Sequence, residues 1–220
     1  NDYSRRTLTK KSANFWGRIK MKLDLWFPTA VYSHDIPNAE KLNKSLIKHI
    51  KKWSKKDKGL KKTNRGGWHS TTDMHDKSEY ELLIQELMNV QDIICREEGY
   101  TAAMYLGNMW ANINYPGCFN KDHTHPNADW SGVYYVQTPK QCGTLEIFDP
   151  RHQANMLLPR QLSTKKIPPR LWRQKKYEPV AGRIIVFPAW LTHGVEINQS
   201  KEKGEKGWRV SVSFNFIQHQ

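Results

Sequence analysis

Three cysteines in 220 residues is little sulfur, and no C-x-x-C pair occurs. Cys95, Cys118 and Cys142 are odd in number and far apart. That spacing argues against a disulfide framework or a zinc ribbon and for reduced thiols in a cytoplasmic setting. No stretch approaches the roughly 20 apolar residues that a membrane span needs. The first eleven residues are polar and basic, so no signal peptide is read there. No internal repeat is apparent. Acid is scarce at one end only: residues 1–65 hold 18 Lys and Arg against 5 Asp and Glu, and the remainder holds 17 against 16. The net charge of +14 therefore belongs to the N-terminal third. A surface of that kind keeps a protein soluble, the commoner role, or recruits nucleic acid or another anionic partner.

Aromatics are plentiful at 11%, enough apolar bulk to argue against a wholly disordered chain. Residues 1–24 read as a basic, partly ordered segment and 25–220 as one domain, helical over 25–100 and β-rich over 101–220. Leu25–Tyr32 reads as a short strand interrupted by Pro28. Asn38–Lys58 has Leu42, Leu46, Ile50 and Trp53 at helical spacing, Asn38 as a cap and Gly59 as a stop. Ser78–Glu98 is a second helix, with Ser78 and Glu81 spaced as a capping box and Leu83, Leu87, Val90 and Ile94 as its buried stripe. Beyond Gly99 the period falls to two. Met104–Tyr115, Ser131–Gln137, Thr144–Phe148, Gly182–Phe187, Leu191–Ile197 and Trp208–Ile217 read as strands. Arg151–Lys176, dotted with proline and basic residues, reads as a long loop of functional character. The N-terminal helices offer a surface for a homodimer.

The densest polar cluster is Asn112–Asp129. In an extended segment His123 and His125 share a face, and neutral imidazole is a common ligand for iron, zinc, copper or nickel. A third histidine, His193, follows an apolar strand and Pro188. Downstream, Arg209 and Ser211 stand at i and i+2 on the last strand, and an arginine there presents a rigid fork to a carboxylate.

With these blocks in order, the sequence resembles the 2-oxoglutarate- and Fe(II)-dependent oxygenases, and within them a branch of largely uncharacterised oxygenases. The blocks are W-x-N-x-N at Trp110–Asn114, H-x-H-P at His123–Pro126, S-G-V-Y-Y-V at Ser131–Val136 and D-P-R at Asp149–Arg151. Gly182–Val195 and R-x-S-x-S-F-N at Arg209–Asn215 complete the set. The resemblance implies a mainly β fold, a double-stranded β-helix (jelly roll) with N-terminal α-helices packed against it. It implies an enzyme using Fe(II) and 2-oxoglutarate, hydroxylating an unidentified substrate and releasing succinate and CO2. By position, His123 and His193 match the two histidines of the superfamily's H-x-D/E…H triad, and His125 falls where the carboxylate stands. Asp129 is the alternative third ligand, and His125 is favoured by its i, i+2 relation to His123. Arg209 matches the residue that pairs with the far carboxylate of 2-oxoglutarate, with Ser211 beside it. Asn112, Asn114 and one of Tyr134 and Tyr135 are further contacts. Tyr134 and Tyr135 point to opposite faces, and Tyr135 is taken. Two other readings compete: a metal enzyme of cupin type that needs no cosubstrate, and a basic nucleic-acid-binding module on an inert barrel.

Overall fold

The computed structural model describes residues 21–156 and 167–218. Most of the basic segment 1–24, and the centre of the Arg151–Lys176 loop, lie outside the described residues. The chain divides into two units, residues 1–30 and 31–220. In the first, residues 21–30 form neither helix nor strand, so the strand predicted over Leu25–Tyr32 is absent there. Among the described residues, the second unit holds all the regular structure.

That structure is two antiparallel sheets and two long helices. In chain order it runs β1 (Tyr32–Asp35), α1 (Glu40–Ser54), β2 (Asn64–Arg65), β3 (Trp68–His69), α2 (Glu81–Glu97), β4 (Tyr105–Asn114), β5 (Phe119–His123), β6 (Trp130–Gln137) and β7 (Leu145–Phe148). A short helix α3 (His152–Met156) follows, then β8 (Gln174–Tyr177), β9 (Arg183–Pro188), β10 (His193–Val195) and β11 (Arg209–Ile217). The larger sheet has the order β1-β9-β6-β11-β4-β3 and the smaller β2-β5-β10-β7-β8. Two facing antiparallel sheets with helices on one outer face are the jelly-roll architecture predicted. Among the described residues no helix is long and apolar enough to cross a membrane, and Cys95, Cys118 and Cys142 are all free thiols.

The helices bury the stripes their periodicity dictates: Leu46 and Ile50 on α1, and Leu83, Leu87, Val90 and Ile94 on α2. Both stripes join one core with alternate residues of the larger sheet, among them Ala111, Ile113, Tyr134, Val136, Val212 and Phe214. Each such side chain contributes about 1.5–3 kcal/mol on leaving water. A second, smaller core lies between the sheets, built from Tyr135, Leu145, Ile147, Ile185, Phe187 and Leu191. Gly132 belongs to the first packing layer: a Cβ there would collide with the Phe214 ring.

Helix ends depart from prediction at three points. Asn38 does not cap α1. It adopts φ 53°, Ala39 occupies the cap position, and no side chain accepts from the first turn. The Ser78–Glu81 capping box does not form, because a 3₁₀ turn over Ser78–Tyr80 precedes α2 and moves its start to Glu81. Helix α1 ends at Ser54, before Gly59. Gly99 does stop α2: at φ 71° it lets its own N–H reach the Arg96 carbonyl and the Tyr100 N–H the Cys95 carbonyl, a left-handed cap that glycine adopts without strain.

Candidate active site

The larger sheet positions the site through strand alternation. Register sets His69 of β3 opposite Asn112 of β4, Asn112 opposite Ser211 of β11, and Ser211 opposite Tyr135 of β6. These four side chains form a row across the inner face. The next rows along β4 and β11 are Trp110 with Ser213 and Asn108 with Asn215. Opposite them, the smaller sheet pairs His193 of β10 with His123 of β5 and with Ile147 of β7. All but Ile147 line one cavity of about 290 Å³ between the sheets.

His123, His125 and His193 converge there, with ligand atoms within 4.8 Å of one another. Ring centroids are 4.9 Å apart for His123–His125, 4.3 Å for His123–His193 and 5.0 Å for His125–His193. Each Nδ1 faces an oxygen: the Lys121 carbonyl at 2.7 Å for His123, Asn215 Oδ1 at 2.7 Å for His125, and the Leu191 carbonyl at 2.9 Å for His193. Donation from Nδ1 leaves each Nε2 as a lone pair, the form a metal ligand requires. Burial, with the neighbouring His123 ring after it, pulls His125 down to about 4 and His193 to about 3. Burial shifts His123 the same way. Three rings this close stay neutral because a proton on any one is poorly solvated.

Asp129 lies outside this cluster. It is exposed, and its carboxylate accepts from the Gln218 backbone N–H at 2.7 Å. The structure thus brings together His125, and not the alternative Asp129, with the other two histidines.

Arg209 is 1% exposed. Its Nη1 donates to the carbonyls of Cys142 at 2.7 Å, Gly143 at 3.1 Å and Glu196 at 3.4 Å. No carboxylate among the described residues pairs with it, although a guanidinium in a protein keeps its charge. Ser211 lies beside it, buried, on the same face. Asn112 donates to Ser213 Oγ at 3.1 Å, and its other amide end is buried without a partner. Asn114 donates to Asn120 Oδ1 at 3.1 Å. Tyr135 faces the cavity, with burial raising its phenol so that it stays a neutral donor. Tyr134 points away and donates to Asn43 of α1 at 2.6 Å. The loop of residues 198–207 is pinned over this end, with Asn198 donating to the carbonyls of Asn114 and Gly207 at 2.8 Å each.

Asn215 and His69 carry parts that the sequence reading did not assign. Asn215 Oδ1 accepts from both His125 Nδ1 and Ser131 Oγ, each at 2.7 Å, and its Nδ2 donates to Asn108 at 2.7 Å. The signal was available: Asn215 lies six residues past Arg209 on the same face. His69 stacks on Trp110, at 5.6 Å and 10°.

Between the two sheets of a jelly roll lie three histidines that could hold a metal ion and a buried guanidinium with no carboxylate partner among the described residues. The family described as "Putative 2OG-Fe(II) oxygenase" matches residues 108–215. That match places the chain in the 2OG-Fe(II) oxygenase family, and the segment contains all three histidines and Arg209. No curated protein matches the chain in sequence. Among solved structures, a prolyl-4-hydroxylase from Pseudomonas putida is similar with a TM-score of 0.61 and 16% identity, over 87% of this chain and 94% of that one. HygX from Streptomyces hygroscopicus, with nickel and 2-oxoglutarate bound, is similar with a TM-score of 0.58 and 11% identity, over 96% and 87%. The viral collagen prolyl hydroxylase vCPH of Paramecium Bursaria Chlorella virus-1, a 2OG complex, gives 0.54 and 14%, over 84% and 94%. At these identities the likeness is one of fold.

Proposed function

We propose that His123, His125 and His193 hold the Fe(II) of this oxygenase, and that Arg209, with Ser211, Asn112, Asn114 and Tyr135, binds 2-oxoglutarate. The observation that carries the reading is the convergence of three histidines with ligand atoms within 4.8 Å of one another, each with its Nδ1 facing an oxygen. The residues fit both groups. Imidazole nitrogen suits Fe(II), and the Arg209 guanidinium, with no carboxylate partner among the described residues, suits the anionic cosubstrate.

When bound, Fe(II) and 2-oxoglutarate supply the oxygen-activating chemistry and yield succinate and CO2. The chain orients and encloses. Arg209 grips the far carboxylate while three carbonyls hold its guanidinium in place. Ser211 and Tyr135 add hydroxyl donors on the same face. Val133, Leu145 and Phe187 line the cavity with apolar surface that keeps water out. A cytoplasmic setting suits the three reduced cysteines, and the exposed lysines of α1 provide a surface for an anionic partner.

Anaerobic reconstitution with Fe(II), followed by titration with 2-oxoglutarate under visible absorbance, tests the assignment. A weak charge-transfer band that saturates with 2-oxoglutarate and is lost in Arg209→Ala is the expected result. Iron binding without that band would sink the cosubstrate assignment and favour the cosubstrate-free metal enzyme. An unchanged band in His193→Ala would sink the ligand assignment.

A further inference from the structure

The polarity of the cavity limits what can enter it. Among the described residues that line it there is no Asp and no Glu, and the cations are Arg209 and Lys62. In the function proposed above, a divalent metal and a dianionic cosubstrate cancel, and the three imidazoles add no negative charge. Arg209 then pairs with the cosubstrate, and Lys62 remains as a positive charge at the exposed edge of the cavity, where it draws anions. Arg209 is held inside by carbonyls. Lys62 stands on the exposed loop that enters β2, and no acidic side chain among the described residues pairs with its ammonium.

Next to Lys62 lies a group with the opposite need. His69 is 5% exposed, and its Nδ1 is paired with the Ser70 carbonyl at 2.6 Å. Its Nε2 is therefore a hydrogen-bond acceptor on the cavity side, and no group among the described residues donates to it. Burial, and with it the nearby Lys62 charge, favours the neutral ring. The ring is fixed against Trp110, and β3 is fixed in turn by the Leu60 N–H bonded to the His69 carbonyl at 2.8 Å. A cation with no acidic partner among the described residues and a fixed acceptor thus adjoin on the β3 side of the cavity, with Trp110 stacked on both His69 and His125.

We infer that the substrate is an anionic molecule, a carboxylate or a phosphate ester, whose charged group pairs with Lys62 while a hydroxyl or N–H group of the same molecule donates to His69 Nε2 beside Trp110. The inference rests on the function proposed above. A lysine is a point charge that takes either anion, unlike the bidentate fork of arginine, so the structure assigns their shared chemistry. A neutral analogue forgoes the pairing with the exposed Lys62, the smaller loss, and one lacking the donor leaves the buried His69 unpaired, the larger one.

The test uses the full chain loaded with Ni(II) and saturating 2-oxoglutarate, so that Arg209 is occupied. Calorimetry then follows glycolate, glycerol phosphate and neutral glycerol as probes. The inference expects one anionic probe per chain, bound at least about tenfold tighter than glycerol. Lys62→Gln should remove that advantage and Lys62→Arg restore it, with 2-oxoglutarate affinity unchanged in both. The 15N resonance of His69 Nε2 should move on probe binding in the wild type. Tighter glycerol phosphate assigns a phosphate ester, and tighter glycolate a carboxylic acid. Equal binding of charged and neutral probes, or full anion binding in Lys62→Gln, would overturn the inference. If 2-oxoglutarate itself fails to bind the Ni(II) protein, the function proposed above has failed instead, and the two failures are told apart before any probe is added.

Discussion

The two faces of the larger sheet are made by alternate residues of the same strands, and their chemistry is opposite. Along β11, Val210, Val212, Phe214 and Phe216 lie in the core beneath the helices, while Arg209, Ser211, Ser213 and Asn215 line the cavity. Along β4, Met109, Ala111 and Ile113 contrast with Asn108, Trp110, Asn112 and Asn114 in the same way. The apolar face gains stability in proportion to the area it removes from water. The polar face gains little, because its hydrogen bonds replace others made to water. Stability and chemistry are therefore separated by a one-residue offset, and a register slip would exchange both at once.

The sharpest way to break this comparison is one substitution on each side. His193→Ala should remove metal binding and turnover altogether while leaving the melting temperature of the metal-free protein close to that of the wild type. Phe214→Ala should cost about 3–5 kcal/mol of stability, with metal content per folded molecule retained. Thermal melts and metal analysis on both variants check this. A greater loss of stability in His193→Ala than in Phe214→Ala would remove the division of labour.

The faces should also differ in their response to pH. Native His125 and His193 titrate near 4 and 3, against the ordinary 6.5. Between those values the unfolded chain binds protons that the native chain does not, so stability of the metal-free protein falls as pH falls. The slope is about 1.4 kcal/mol per pH unit for each histidine that stays neutral. The loss begins below about 6.5 and levels off once the native rings protonate. Denaturant titrations from pH 7 to pH 4 check it, and His193→Ala should flatten the curve. The apolar face has nothing that titrates in this range, so Phe214→Ala should shift the curve without changing its slope.

A smaller effect lies at Arg209. Arg209→Leu should raise the 2-oxoglutarate concentration needed for half-saturation by about 10–100-fold, the range for a hydrogen-bonded charge pair, and leave Fe(II) affinity unchanged. Equilibrium titration with each ligand separates the two.

Much of this was legible before any coordinates. The period-two alternation of Arg209–Ile217 announces a strand with two unlike faces, and Tyr134 and Tyr135 divide between them as their adjacency requires. The helical stripes of α1 and α2 are local and periodic, and they form. What was not legible is set by pairing across the chain. Phe119–His123 is not among the predicted strands, yet it is one because β10 and β2 flank it. Gln174–Tyr177 lies in a basic stretch that reads as loop, and becomes a strand against β7. The capping box at Ser78 failed because a preceding 3₁₀ turn consumed its first residues. In the site, the histidines were readable from spacing. Asn215 shares the face of Arg209, which alternation shows, but its pairing with His125 was not readable, because that partner is ninety residues away.

That partner makes Asn215 the finest probe of the comparison, since it stands between Phe214 and Phe216, both fully buried on the other face. With Oδ1 toward His125 the ring carries its proton on Nδ1, and Nε2 is free to ligate. Reversing the amide would place a donor against Nδ1, move the proton to Nε2 and block the ligand. Ser131, which also bonds Oδ1, and Asn108, which accepts from Nδ2, hold the first arrangement. Asn215→Leu should therefore weaken metal binding about tenfold, the low end for loss of a group that orients a ligand, because His123 and His193 keep their own carbonyl partners. Asn215→Asp, which can only accept when ionised, should retain or strengthen binding. Metal titration of the two variants, with 15N shifts of His125 in the metal-free protein to report the tautomer, decides whether the amide acts through that proton. Equal metal affinity in both variants would mean that Asn215 only fills space.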